Sequence, residues 1–159
     1  MKTEMQVLEQ LKATIAARIN DCQVSGGEEL PIGQIDGKNV EIDFPDVDAM
    51  RRNTMFFIQP DYQNLEPLGM ASDLATMRAT VFILCKGASN AILVRRAFAW
   101  YTALYVLMRS DPTLDGFIED CRITDMDYYP AVTASATVTA IEASVELQWT
   151  KDFQPYQKR

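Results

Sequence analysis

Apolar residues fall on two different periods along this chain. Met5, Leu8, Leu11, Ile15 and Ile19 recur at steps of three and four, which predicts an amphipathic helix over the first twenty residues. Thr3 and Gln6 stand three apart at its start, the spacing at which each side chain answers the other's free backbone N–H. Gly26-Gly27 ends the element. Asp36-Gly37 is a turn dipeptide between Ile32–Ile35 and Val40–Phe44, and predicts an extra hairpin near 30–45. The period then becomes two. Thr54–Gln59 reads as a strand stopped by Pro60, and Ala75–Lys86 alternates at Met77, Ala79, Val81, Ile83 and Cys85. Arg78 and Thr80 take the other face, but Phe82 and Leu84 make that face partly apolar as well, so cover on both sides is expected.

A second helix follows. Ser89 is placed to cap it, and it runs to about Arg109, where Asp111-Pro112 stops it. Ile92, Val94, Phe98, Trp100, Tyr101, Leu104, Tyr105 and Met108 make it apolar on more than one side, as in a central helix or one packed on a neighbouring subunit. Phe117–Tyr129 reads as a strand leading to Pro130, and Ala134–Trp149 as a very long one. In the long strand Ala134, Ala136, Val138 and Ala140 share one parity, and Ile141, Ala143, Val145, Leu147 and Trp149 the other. That slip predicts a bulge near Ala140-Ile141. The order α-β-β-α-β-β defines an α+β fold, an antiparallel sheet with two main helices packed on it. With 159 residues, the expectation is a single domain over 1–159.

Composition narrows the chemistry. Apolar residues are 48% of the chain and charged ones 23%, enough apolar surface for a packed core. The sequence holds no histidine, which removes histidine-based nucleophile systems, histidine zinc ligands and the commonest general base at neutral pH. A formal net charge of −7 makes the chain a poor candidate for wrapping nucleic acid, and neither sequence-specific nucleic-acid binding nor a membrane partner is expected. Cys22, Cys85 and Cys121 are far apart with no Cys-x-x-Cys spacing, and read as reduced thiols, in keeping with a reducing cytosol. Met1-Lys2-Thr3-Glu4 opens a charged helix rather than a signal peptide, and the apolar run Ala97 to Met108 is short for a bilayer span.

No constellation predicts catalysis. Asp43, Asp46 and Asp48 are the densest carboxylates; they lack the spacing of a calcium loop and read as a solvated acidic loop. Asp125 and Asp127 read as strand residues facing solvent or a partner. Gly26-Gly27 and Gly33 match no phosphate-binding pattern, and Ser135 and Thr137 have no base to activate them. The expectation is a protein that is not an enzyme and holds no cofactor and no metal.

The segment Ala103-Leu104-Tyr105-Val106-Leu107-Met108, followed by Ser110-Asp111-Pro112-Thr113-Leu114-Asp115-Gly116, Cys121-Arg122-Ile123, Tyr128-Tyr129 and a long small-residue strand, resembles the tail terminator and tail-completion proteins of long-tailed bacteriophages and their prophages. The likeness covers about 100–150 by motif and 54–100 by element order. Asp115 stands where that pattern has a small residue, and 21–53 has no counterpart. The resemblance implies an α+β subunit that forms a ring, a hexamer, on the end of the tail tube and joins it to the head, with no catalytic residues. It implies as partners further copies of the chain, the tail tube protein and head–tail connector proteins, and a place in the virion tail after assembly in the bacterial host cytoplasm. It also implies an acidic inner surface from which passing DNA is repelled. A neck or connector subunit of the same virion region is the alternative within this class, and a small-ligand-binding or enzymatic α+β domain the alternative outside it.

Candidate contact residues follow from the pattern. Self-association is expected through strand edges and the long helix, with Trp100, Tyr101 and Tyr105 as aromatic candidates. Residues 61–73 read as a loop carrying Leu65, Leu68 and Met70, a candidate surface for the tail partner; folding back of Leu65 and Leu68 over the sheet is the other possibility.

Overall fold

The computed structural model describes residues 1–23, 32–87, 89–132 and 137–154. Helix α1 spans Glu4–Arg18 and continues as a 3-10 turn over Ile19–Cys22. The cap forms as its spacing predicts: Gln6 N donates to Thr3 Oγ1 at 3.3 Å and Thr3 N to Gln6 Oε1 at 2.9 Å. The buried stripe is Val7, Leu8, Leu11, Thr14 and Ile15. Met5 is exposed instead, because it lies about a third of a turn round the helix from Leu11.

Strands β1 (Val40–Glu41), β2 (Thr54–Pro67), β3 (Ser72–Gly87), β4 (Asp120–Val132) and β5 (Thr137–Asp152) form one sheet in the order β1-β2-β3-β5-β4. All pairs are antiparallel except β1 with β2. Helix α2, Asn90–Ser110, joins α1 on one face, called the front here. The fold is thus α+β, as the pattern predicts.

The expected hairpin near 30–45 does not form. Asn20 occupies both backbone groups of Ile35: Nδ2 donates to its carbonyl at 2.8 Å and Oδ1 accepts from its N–H at 3.0 Å. Those groups are then lost to a strand partner. Asp36 caps a 3-10 turn over Gly37–Asn39, with Lys38 N donating to its carboxylate at 2.8 Å. Val40 and Glu41 then pair parallel with Phe56 and Phe57.

Nor does Pro60 stop β2. The strand carries it through a bulge between Pro60 and Tyr62. Two-residue β1 ends opposite Phe57, so this stretch of β2 is an edge, where a missing N–H breaks no ladder. Consequently 61–73 is not a loop but the far half of a long β2–β3 hairpin, closed by a turn in which Leu68 N donates to Ser72 O at 2.9 Å.

Strand β5 has no bulge at Ala140-Ile141. Its register against β3 is continuous from Thr137 to Asp152. The change of parity arises because both faces are covered at that end of the sheet. Val138 and Ala140 turn back onto Met50, Met55, Phe57 and Leu84, while Ile141 to Trp149 turn to the front core. The shift of register lies in β4, between Ile123 and Asp125. Ala134 to Ala136 fall outside the described residues. Strand β4 starts at Asp120 rather than Phe117 and runs past Pro130 to Val132.

The front core gathers Phe56, Ile58, Val81, Ile83, Ile141, Val145 and Leu147 under the two helices. Trp100 sits at its centre, its ring edge-on to Phe56 at 5.8 Å and 88°. Gly87, at the end of β3, lets α2 approach: a Cβ there would lie 3.2 Å from Leu93 Cδ2. Ser89 occupies the cap position of α2 without a side-chain bond. By length and composition α2, at 21 residues, could cross a membrane, although Ala97–Met108 reads as too short. Its Leu93, Ala97, Trp100, Leu104 and Leu107 face is instead buried on the sheet.

Candidate functional site

The Asp111–Gly116 corner links α2 to β4. Asp111 closes the helix, and its carboxylate accepts the N–H of Asp115 at 2.9 and 3.0 Å. Leu114, Asp115 and Gly116 follow one another with φ of 49°, 62° and 78°. Three left-handed residues in a row cost free energy at the two that carry side chains, so something must hold them. Arg18 of α1 does so, with Nη1 on Asp111 at 2.9 Å and Nη2 on Asp115 at 3.2 Å. Asp115 is thus used as an ion-pair partner. Thr113 O accepts from Ile118 N at 3.0 Å, which turns the chain into β4. These hydrogen bonds and ion pairs tie the corner to itself and to α1, the arrangement of a structural joint.

The predicted contact residues divide into two groups. Leu65, Leu68 and Met70 lie at the hairpin tip, exposed by 54%, 55% and 105%. Phe153, which the sequence did not single out, joins them: its N–H donates to Ala71 O at 2.6 Å, and the residue is 61% exposed. No local pattern marks Phe153, because β5 alone brings it beside the turn. The second group is broken up by α2. Trp100 is fully buried and belongs to the core, Tyr101 is half-buried, and Tyr105 is exposed. Phe98, seven residues before Tyr105, is exposed on the same line and stacks on Tyr128 at 5.6 Å. That spacing of seven was the signal that could have found it.

Strand edges are open but guarded. Beyond β1, β2 has no partner on its outer side among the described residues, and neither has β4. Pro60 and a bulge interrupt the first edge, and a bulge with Asp125 and Asp127 the second. Asp125 faces solvent and pairs with Arg78 at 3.0 Å. Asp127, Asp61 and Glu142 lie close together on the back face, where burial first, then Asp127 and Asp61, push the Glu142 carboxyl above its usual range.

Among the described residues no group of three or more cysteine, aspartate or glutamate side chains is placed to hold a metal. In the acidic loop Asp46 instead accepts from Asp48 N at 3.0 Å and Ala49 N at 3.3 Å. Burial pushes the Cys85 thiol up to about 11 and Cys121 further. Both thiols are therefore protonated and poor nucleophiles at neutral pH. Beside Lys2, Glu119, Trp149 and Asp152 lies a shallow cleft of about 220 Å³. That is smaller than the roughly 300–1,000 Å³ of small-molecule sites.

No family model matches the chain, and no curated protein does. Among solved structures, it is similar to a chain of the virion of a native gene transfer agent particle. The identity is 12% and the TM-score 0.39, over 91% of this chain and 92% of that one. Likeness at that level carries no weight for fold or function.

Proposed function

We propose that the protein is a structural subunit of a phage-like virion, which assembles as a ring on the end of the tail tube and joins the tube to the head. The supporting observation is the unit α2–corner–β4–β5. It has the element order of the tail terminator resemblance, and its Asp111–Gly116 motif is built as a joint tied by hydrogen bonds within itself and by Arg18 to α1. On this reading the chain works by shape and contact and catalyses nothing. Its partners are copies of itself, the tube protein and head–tail connectors, and it resides in the virion tail after assembly in the host cytoplasm. The Asp61, Asp127 and Glu142 carboxylates suit a wall past which DNA slides without adhering.

Electron microscopy of the purified chain mixed with polymerising tail tubes tests the proposal. Rings with a central hole should appear at tube ends, and tube growth should stop. Tubes that elongate unchecked, with bare ends at saturating protein, would overturn it.

A further inference from the structure

Among the described residues, two groups of exposed apolar side chains stand beside borders of opposite charge. One is the hairpin tip, with Leu65, Leu68, Met70 and Phe153. The other is the outward line of α2. Ala91, Arg95, Phe98, Thr102, Tyr105 and Arg109 follow one another at steps of four and three, and all six are exposed. Such steps hold one line along a helix, wide enough to seat a partner.

Their charges are opposite. Helix α2 contains Arg95, Arg96 and Arg109 and no aspartate or glutamate. The tip is bordered by Glu66, Asp73 and Asp152, while Lys151 beside them is held by Glu4. An apolar centre with an acidic rim and an apolar centre with a basic rim are complementary surfaces. One molecule cannot bring them together. Helix α2 lays its Leu93, Ala97, Trp100 and Leu104 face on the sheet, so its exposed line turns away from the strands whose ends carry the tip. Unlike the patches, the open strand edges carry bulges and proline against pairing.

We propose that the hairpin tip of one chain docks on the outward face of α2 in a second copy, with Leu68 and Met70 against Phe98 and Tyr105. The contact is head-to-tail, the kind that closes into a ring or runs on as a filament. It deepens the ring reading above by naming its surfaces.

Sedimentation of the purified chain, together with Leu68→Asp and Tyr105→Asp, is the test. Wild type should assemble with rising concentration. Each variant should keep its melting temperature and bind itself about thirtyfold or more weakly, since a charge is set in the centre of the contact. A head-to-tail contact makes one further demand. Mixing the two variants at equal amounts should give dimers and nothing larger, because a single intact tip and a single intact helix face remain. Charge exchange gives a second line: Glu66→Arg and Arg109→Glu should each weaken assembly, and the double variant should recover it. Wild type that stays monomeric up to millimolar concentration overturns the proposal, as do variants that assemble like wild type. Leu68→Asp rings that form normally but no longer cap tubes would put the tip against the tube, which also overturns it and spares the tail reading. Assembly that obeys the mixing rule but ignores tube ends would keep the contact and sink the tail reading.

Discussion

The two ends of the β2–β3 hairpin both carry apolar residues and have opposite fates. At the base, Phe56, Ile58, Val81 and Ile83 pack under the helices, while Met55, Phe57 and Leu84 are covered on the back by Met50 and Val47. At the tip, Leu65 and Leu68 have neither layer and stay more than half exposed. Both ends belong to one hairpin, and both carry apolar residues. The difference lies entirely in what the rest of the chain lays over them, so alternation reports which residues share a face and not whether that face is dry.

Substitutions graded from the covered base to the open tip should expose this contrast. Trp100→Ala, at the covered base, should cost about 3–5 kcal/mol through the cavity it leaves beside Phe56. Urea unfolding measures it, and a loss below about 1 kcal/mol would mean that the base is not the stability centre. Leu84→Ala removes a side chain from the smaller back cluster and should cost about 2–3 kcal/mol. If it proves neutral, the 43–53 segment does not cover the back face in solution.

Charge gives a subtler pair. The hydrogen bond from Lys151, first among several causes, lowers the Glu4 carboxyl below its usual 4.5, whereas burial and neighbouring acids raise that of Glu142. The stability Glu4 contributes is therefore present above about pH 4.5 and lost as pH falls through its lowered value. Glu142 acts in reverse. Its ionised form is disfavoured in the fold, so it weakens stability as pH rises from about 4.5 through its raised value. Melting curves from pH 3 to pH 7 should show Glu4→Gln below wild type only at the upper end. Glu142→Gln should rise above wild type over the same interval, and matching slopes for the two would contradict the assigned environments. The smallest effect belongs to the tip. Leu68→Asp should shift stability by no more than about 0.5 kcal/mol, as an exposed position allows, and a larger loss would mean that the tip is packed in solution.

Much of the architecture is legible in residue order. The capped α1, the alternation of β3, the stop of α2 at Asp111-Pro112 and the sequence of elements all rest on interactions between neighbours a few residues apart. The failures share a cause. Asp36-Gly37 makes no hairpin because Asn20, fifteen residues earlier, takes the backbone of Ile35. Pro60 does not end a strand because β1 is too short to need its N–H. Of the candidate contact residues, Leu65, Leu68, Met70 and Tyr105 are at the surface and Trp100 is in the core, a distinction that helical spacing alone does not make.

The sequence by itself determined the α+β class, the helix limits set by Thr3 and Pro112, and the want of histidine chemistry, since these follow from local hydrogen bonding, backbone restriction and residue type. Only the tertiary structure decided that Val138 and Ile141 face opposite covered layers without a bulge, that Arg18 holds the left-handed Leu114–Gly116 corner, and that Phe153 completes the tip. Burial and long-range pairing are properties of surfaces brought together from distant parts of the chain, and no short window of residues contains both sides of such a contact.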